Sequence, residues 1–243
     1  MTVEQKFLNE LMQKYFPDTV LDRNYIRNDS ERGEIILDKD SGVITLLLRW
    51  KYTWIKSADV NNDWTELDKI RFMTRVNFCV CHEWNGKIYF SVSGDSDFAK
   101  KFQGKKLPFN IQIMPVWQKE HWNVEVLKTP PRGDDGRPYV IWKRRLAHFY
   151  FKDTSSAEKC NPGNSSDCGH FQVNIPHEVG HMLALDDEYE LDGSGKPLSK
   201  YKSDTAALMN IGMELRTRYL DYTNIMMNAV YPSTEFSVMS VAP

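Results

Sequence analysis

The chain has 243 residues, 41% of them apolar and 26% charged, with a formal net charge of −2. That length suffices for one large domain or two small ones with a substantial core, and the composition is that of an ordinary globular protein. Near-neutral charge excludes a broad nucleic-acid footprint or a polybasic membrane patch.

No apolar run approaches a membrane span; the longest, Val43 to Trp50, is strand-sized, so no membrane span is expected. Met1 to Phe16 lacks the basic start and apolar stretch of a secretory signal. The expectation is a cytoplasmic protein, one trimmed of a leader, or one exported by a signal-independent route. Four cysteines are too few for a disulfide scaffold at this length. Cys79 and Cys81 are poorly spaced for a bridge and read as small buried hydrophobes. Cys160 and Cys168 bracket the turn-rich segment Asn161 to Asp167, which could bring them together in an oxidising compartment; bridged and free forms are both open.

Taken in chain order, residues 3–16 predict an amphipathic helix closed by Phe16-Pro17. Glu34 to Leu37 and Ile44 to Ile55 are rich in β-formers, with Ser41-Gly42 as the turn between them. Asn61-Asn62-Asp63 offers caps for a helix carrying Trp64, Leu67, Ile70 and Met73. Val76, Phe78 and Val80 then alternate, which predicts a strand up to Asn85-Gly86, with Lys87 to Ser93 as its hairpin partner. Phe109 to Gln118 and His121 to Lys128 predict a second hairpin. Pro130 to Pro138 reads as a loop and Ala147 to Lys152 as a strand. Without repeats or a long linker, the organisation expected is a helical extension over residues 1–33 and one α+β domain over 34–243. That domain would hold a mixed, twisted sheet with helices packed on it. The seven tryptophans are assigned to core and cleft walls.

The segment His177-Glu178-Val179-Gly180-His181 carries the chemistry. On a helix the two histidines lie one turn apart on one face and can reach a single metal ion, while Glu178 can hold a water without ligating. Pro176 suits a helix start, with Asn174 as the cap and the helix running from about 175 to 185. Six residues beyond His181 stands Asp187, which on an unbroken helix would lie about 600° around from it. It reaches the metal only if the chain turns sharply near Ala184; otherwise a later carboxylate, with Glu214 best placed, would serve.

Here the sequence resembles the metzincin zinc peptidases, whose pattern is H-E-x-x-H-x-x-G-x-x-H or D. The resemblance is best over residues 170 to 225. It implies a zincin/metzincin-like fold with an active-site helix, zinc held by His177, His181 and Asp187, and Glu178 as general base. The family bends the chain with a glycine where this sequence has Ala184. It also places a methionine in a tight turn beneath the metal. Here Ala207 to Gly212 provides that turn, with Met209 the candidate and a helix expected from about Met213. The implied activity is hydrolysis of peptide bonds in a polypeptide substrate.

Some family members stabilise the developing oxyanion with a tyrosine two residues after that methionine. Ile211 stands there, leaving Tyr189, Tyr219 and Arg216 as candidates. His82, His121 and His148 read as structural, His170 as a loop or cleft residue, and Asp186 and Glu188 as supporting or solvent-facing. The competing reading is a metal-stabilised binding module without turnover, against which Glu178 argues, since a structural site needs no base. A further expectation is a bacterial effector acting as a toxin in a rival or host cell, which would imply a cognate inhibitor or immunity protein.

Overall fold

Two short strands, β1 (Tyr25–Asp29) and β2 (Glu34–Asp38), form an antiparallel hairpin that leads into the long strand β3 (Ile44–Lys56). In the computed structural model, which describes residues 24–130, 136–161, 164, 166–229 and 231–241, β3 organises the sheet. Its first half, Ile44–Trp50, runs parallel to β5 (Leu107–Pro115), and its second half, Trp50–Lys56, runs parallel to β6 (Trp122–Lys128). Leu46, Leu47 and Leu48 in succession are buried, as expected of a strand covered on both faces.

Helix α1 (Glu66–Trp84) follows β3 and is started by a capping box between Thr65 and Asp68. Strand β4 (Ile88–Gly94), the short helix α2 (Asp97–Phe102) and β5 come next. Beyond β6, β7 (Tyr139–Ile141) and β8 (Leu146–Tyr150) complete one flank of the sheet, and β11 (Thr234–Val241) closes the other beside β4. The strand order is β11-β4-β5-β3-β6-β8-β7, with the β1–β2 hairpin attached to β3. Parallel and antiparallel pairs mix in this twisted sheet, and the class is α+β. Outside it, β9 (Ser156–Lys159) and β10 (His170–Val173) make a separate antiparallel ribbon that delivers the chain into α3 (Asn174–Met182). Helix α4 (Asp221–Asn228) lies near the end.

Three expectations are corrected. Residues 76–84 are not a strand but the second half of α1. Phe72, Met73, Val76, Val80 and Trp84 recur at helical spacing and are buried, whereas Phe78, which created the alternation, is 67% exposed and stacks on His82. The partners of β4 are β5 and β11 instead. Second, β5 and β6 do not form a hairpin with each other; the chain passes from one flank of β3 to the other at Trp50. Val116 N–H donates to Trp50 O and His121 N–H to Arg49 O at that crossing. Third, the segment before residue 34 is not wholly a helical extension, because β1 belongs to the sheet; the helix expected over 3–16 lies outside the described residues.

The crossing holds a buried charged knot. His121 Nδ1 accepts from Arg49 N–H at 3.0 Å, so Nε2 must carry the proton it donates to Asp29 Oδ1 at 2.9 Å. Glu34, also buried, pairs with Arg27 and Arg49. A doubly protonated ring would turn an N–H toward the Arg49 N–H. Burial therefore lowers the His121 pKa, with Arg49 adding to the effect and Asp29 opposing it. The unfolded chain then binds a proton on this residue more readily than the folded one. Stability from this site is present above the unfolded value of about 6.5 and is lost as pH falls below it. The urea midpoint should fall between pH 7 and 5, and less steeply in His121→Gln; equal slopes in the two proteins would refute this origin.

Among the described residues no helix is long and apolar enough to cross a membrane.

Candidate metal centre

α3 is anchored at both ends. Pro176 sits in the first turn, where a missing N–H costs nothing. Asn174 does not cap the helix as expected. It is the first helical residue, and its Nδ2 donates at 2.7 Å to Asp153, a fully buried carboxylate that also accepts from Tyr150 N–H. Trp84 Nε1 donates to Pro176 O at 3.2 Å and ties the helix to α1.

At the other end the helix stops at Met182, short of 185. Leu185 N–H donates to Gly180 O and Ala184 N–H to His181 O, while Ala184 takes φ 63°. These two bonds with a left-handed residue between them form a Schellman stop, in which glycine is the usual left-handed residue. The chain therefore does turn at Ala184, alanine notwithstanding. A left-handed alanine is strained by about 1 kcal/mol or more, partly offset because glycine costs more entropy to order. Ala184→Gly should raise stability by roughly 0.5–1 kcal/mol in urea unfolding. A loss of about 1 kcal/mol, as for glycine in a continuous helix, would exclude the bend.

The turn delivers Asp187 to the histidines. Asp187 Oδ1 lies 2.9 Å from His177 Nε2 and 3.4 Å from His181 Nε2. Donor atoms of His177, Glu178 and His181 also lie within 4.8 Å of one another, a separation at which they could hold a metal ion. The opposite ring nitrogens are occupied too: His177 Nδ1 bonds Leu208 O at 2.7 Å and His181 Nδ1 bonds Leu185 O at 2.7 Å. Each ring thus has an acceptor on both sides, whereas a neutral imidazole has one N–H. Either an added proton or a cation must stand between the Nε2 atoms and Asp187. Carbonyls fixing Nδ1–H and leaving Nε2 to the ion is the usual support for metal-ligating histidine. Ligands around a tetrahedral ion with bonds of 2.0–2.1 Å lie roughly 3.3 Å apart, close to the spacings here.

Charges follow from this crowding. Burial works against a charged His181, but hydrogen bonding to Asp187 and the nearby Glu178 charge push its pKa up to about 9. Asp187 is likewise opposed by burial, yet the two imidazoles hold it well below the usual carboxylate range. Metal uptake at neutral pH would have to displace the His181 proton. Glu178 differs: burial raises its pKa, only partly countered by the histidines, and its Oε2 is buried with no hydrogen-bond partner among the described residues.

No family model, curated protein or solved structure matches the chain.

Beneath the cluster lies Met209, fully buried. A Cβ on Gly180 would meet its Sδ at 2.2 Å, so this position of α3 must be glycine for the sulfur to lie against the helix. Gln172, which carries no signal in the sequence, holds the methionine loop. Its Nε2 reaches Leu208 O, Asn210 O and Gly212 O at 2.9, 3.1 and 2.9 Å. Glu188 fastens the segment after the bend: its N–H donates to Met209 O and its carboxylate receives Arg218 at 2.7 and 2.8 Å. No α-helix begins near Met213; a 3-10 turn at Thr217–Leu220 leads into α4 instead.

The remaining candidates divide. Glu214 is 58% exposed and paired with Arg216 at 2.9 Å, away from the histidines in its bonding. Arg216 is committed to Asp204 and Glu214, and the Tyr219 hydroxyl accepts from Met209 N–H and reaches Glu188. Of the three oxyanion candidates only Tyr189 lies at the cluster, its ring stacked 6.2 Å from that of His177. Asp186 is exposed, and His170 bonds Asp167. His148 lies between Glu125 and the Tyr139 ring. Cys160 and Cys168 are bridged, closing the tip of the β9–β10 ribbon that leads to α3. Cys79 and Cys81 are free and half-buried on α1.

Proposed function

We propose that this chain is a zinc-dependent endopeptidase of the metzincin type, with His177, His181 and Asp187 as zinc ligands and Glu178 as general base. The observation that carries the reading is the convergence of two Nε2 atoms and one carboxylate oxygen within 2.9–3.4 Å, each ring held from behind by a carbonyl. Two imidazoles and a carboxylate suit zinc and leave a fourth position open, as catalytic rather than structural sites do. The left-handed Ala184, and Met209 under the helix, supply the bend and the buried methionine that the resemblance implied.

Bound zinc supplies Lewis acidity, polarising a carbonyl and lowering the pKa of water to about 7. The chain's own residues do the rest. Glu178, with an unpartnered buried oxygen and a pKa raised by burial, accepts the proton of the attacking water and returns it to the leaving amine. Leu208 O and Leu185 O keep both rings aimed, and Asp187 adds the negative charge that balances the ion. Met209 and Gln172 hold the floor on which this geometry rests.

Purified protein supplied with zinc should retain about one equivalent by metal analysis and cleave an unfolded protein such as reduced casein, with a chelator abolishing cleavage. Zinc retained without hydrolysis of any unfolded protein would favour the binding-module reading. Absence of zinc binding would end both.

A further inference from the structure

A cavity of about 600 Å³ opens beside the cluster, with His181, Asp187 and Met209 in its lining. Its size is that of sites that take a drug-sized molecule, so it accommodates a long side chain with room for a neighbouring residue. Leu185 and Tyr201 are apolar parts of the lining, and Leu198 stands 62% exposed at the cavity. The charges are unbalanced. Arg218 is consumed by Glu188 and Asp204, in contacts of 2.7–2.9 Å, and Asp187 belongs to the histidines. Three further carboxylates line the cavity, Asp186, Glu190 and Asp221, and among the described residues none of the three has an ion-pair partner. Among the described residues, the lining lysine or arginine outside those pairs is Lys200, whose ammonium lies 4.9 Å above the Tyr201 ring.

We propose that this cavity selects polypeptides carrying a lysine or arginine close to the scissile bond. A lining that mixes the apolar side chains of Leu185, Leu198 and Tyr201 with carboxylates fits such side chains, which bury their methylene stems and keep the charged end at a polar surface. A neutral aliphatic side chain would meet the apolar lining but leave the carboxylates unmatched. Since exposed ion pairs are individually weak, selection rests on several carboxylates acting together, and about a fivefold preference is expected.

The proposal rests on the peptidase reading, and two measurements separate their failures. Digestion of a peptide library by the zinc-loaded protein, with cleavage sites read by mass spectrometry, should enrich lysine and arginine within two residues of the cut. In the double variant Glu190→Gln/Asp221→Asn, the ratio of kcat/KM for an arginine peptide to its leucine analogue should fall toward one. Independently, calorimetric titration of the same two peptides into zinc-loaded Glu178→Gln should show the arginine peptide binding about fivefold tighter at low salt, with the gap narrowing in added salt. Hydrolysis without a cationic preference, or equal binding of the two peptides, overturns the proposal. The binding gap without any hydrolysis by the native chain upholds the cavity's selectivity and overturns the peptidase reading. Arginine peptides that bind equally well to the double variant would place the selectivity elsewhere on the protein.

Discussion

Glu178→Gln should retain zinc and fold normally while losing about 10²- to 10⁴-fold in kcat, the range over which a positioned general base contributes. Glutamine keeps the shape but cannot accept the proton. The same change carries a stability signature that no ordinary surface substitution shares. Burial raises the Glu178 pKa, and its Oε2 has no partner among the described residues. For a carboxyl whose folded pKa lies above its unfolded one, the folded state binds the proton more tightly. The cost of burying the charge is then absent below the unfolded value of about 4.3 and grows as pH rises above it. Glu178→Gln should therefore stabilise the metal-free protein at pH 7 and have little effect near pH 4, measured by urea unfolding with a chelator present. A base kept at the expense of stability is the pattern expected of a catalytic group. Near-native activity in Glu178→Gln would overturn the mechanism. A loss of stability at pH 7 would show instead that the carboxylate has a structural partner.

The parts of this fold that were legible in the sequence share one property: their signal is local. The β2–β3 turn at Ser41-Gly42 and the H-E-x-x-H helix are written in adjacent residues, and both formed within a few residues of expectation. What misled was local signal of the wrong period. Val76, Phe78 and Val80 alternate like a strand, but two of the three also fall on the stripe through Phe72, Met73 and Trp84 that packs in the core. Over nineteen residues the helical period wins, and Phe78 is left in solvent. The pairing of β5 and β6 was illegible for another reason. Two strands separated by a short turn normally pair with each other, and only the length of β3, with thirteen residues for two neighbours, allows the chain to change flanks.

At the candidate site the residues that cluster were legible, and those that hold them were not. His177, Glu178, His181 and Asp187 stand in one short segment. Gln172, Asp153 and Glu188 act on partners distant in the chain, and nothing near them announces it. Gly180 could have been suspected: a glycine in the middle of a helix costs about 1 kcal/mol, so its presence asks what lies against it. The answer is the Met209 sulfur.

Asp187 gives the decisive comparison, because the two ways of completing a third ligand predict opposite orders of effect. Asp187 Oδ1 sits 2.9 and 3.4 Å from the two Nε2 atoms, while Glu214 is paired with Arg216 and largely in solvent. Loss of groups that merely orient a ligand lowers metal affinity about 10- to 100-fold, so loss of a ligand should exceed about 100-fold. Asp187→Ala is expected to weaken zinc by more than that in competition with a chromogenic chelator, whereas Glu214→Ala should change it by less than about threefold, the loss of one exposed ion pair. Asp187→Asn sharpens the comparison. It preserves the shape and a hydrogen-bonding oxygen but removes the charge that holds the metal-free His181 protonated up to about pH 9. That variant should bind zinc more weakly than the parent, yet release fewer protons on binding at pH 7.5, as read by calorimetry in buffers of different ionisation enthalpy. If Glu214→Ala loses zinc and Asp187→Ala keeps it, the ion is held by a different set of residues and the metzincin reading of Asp187 fails.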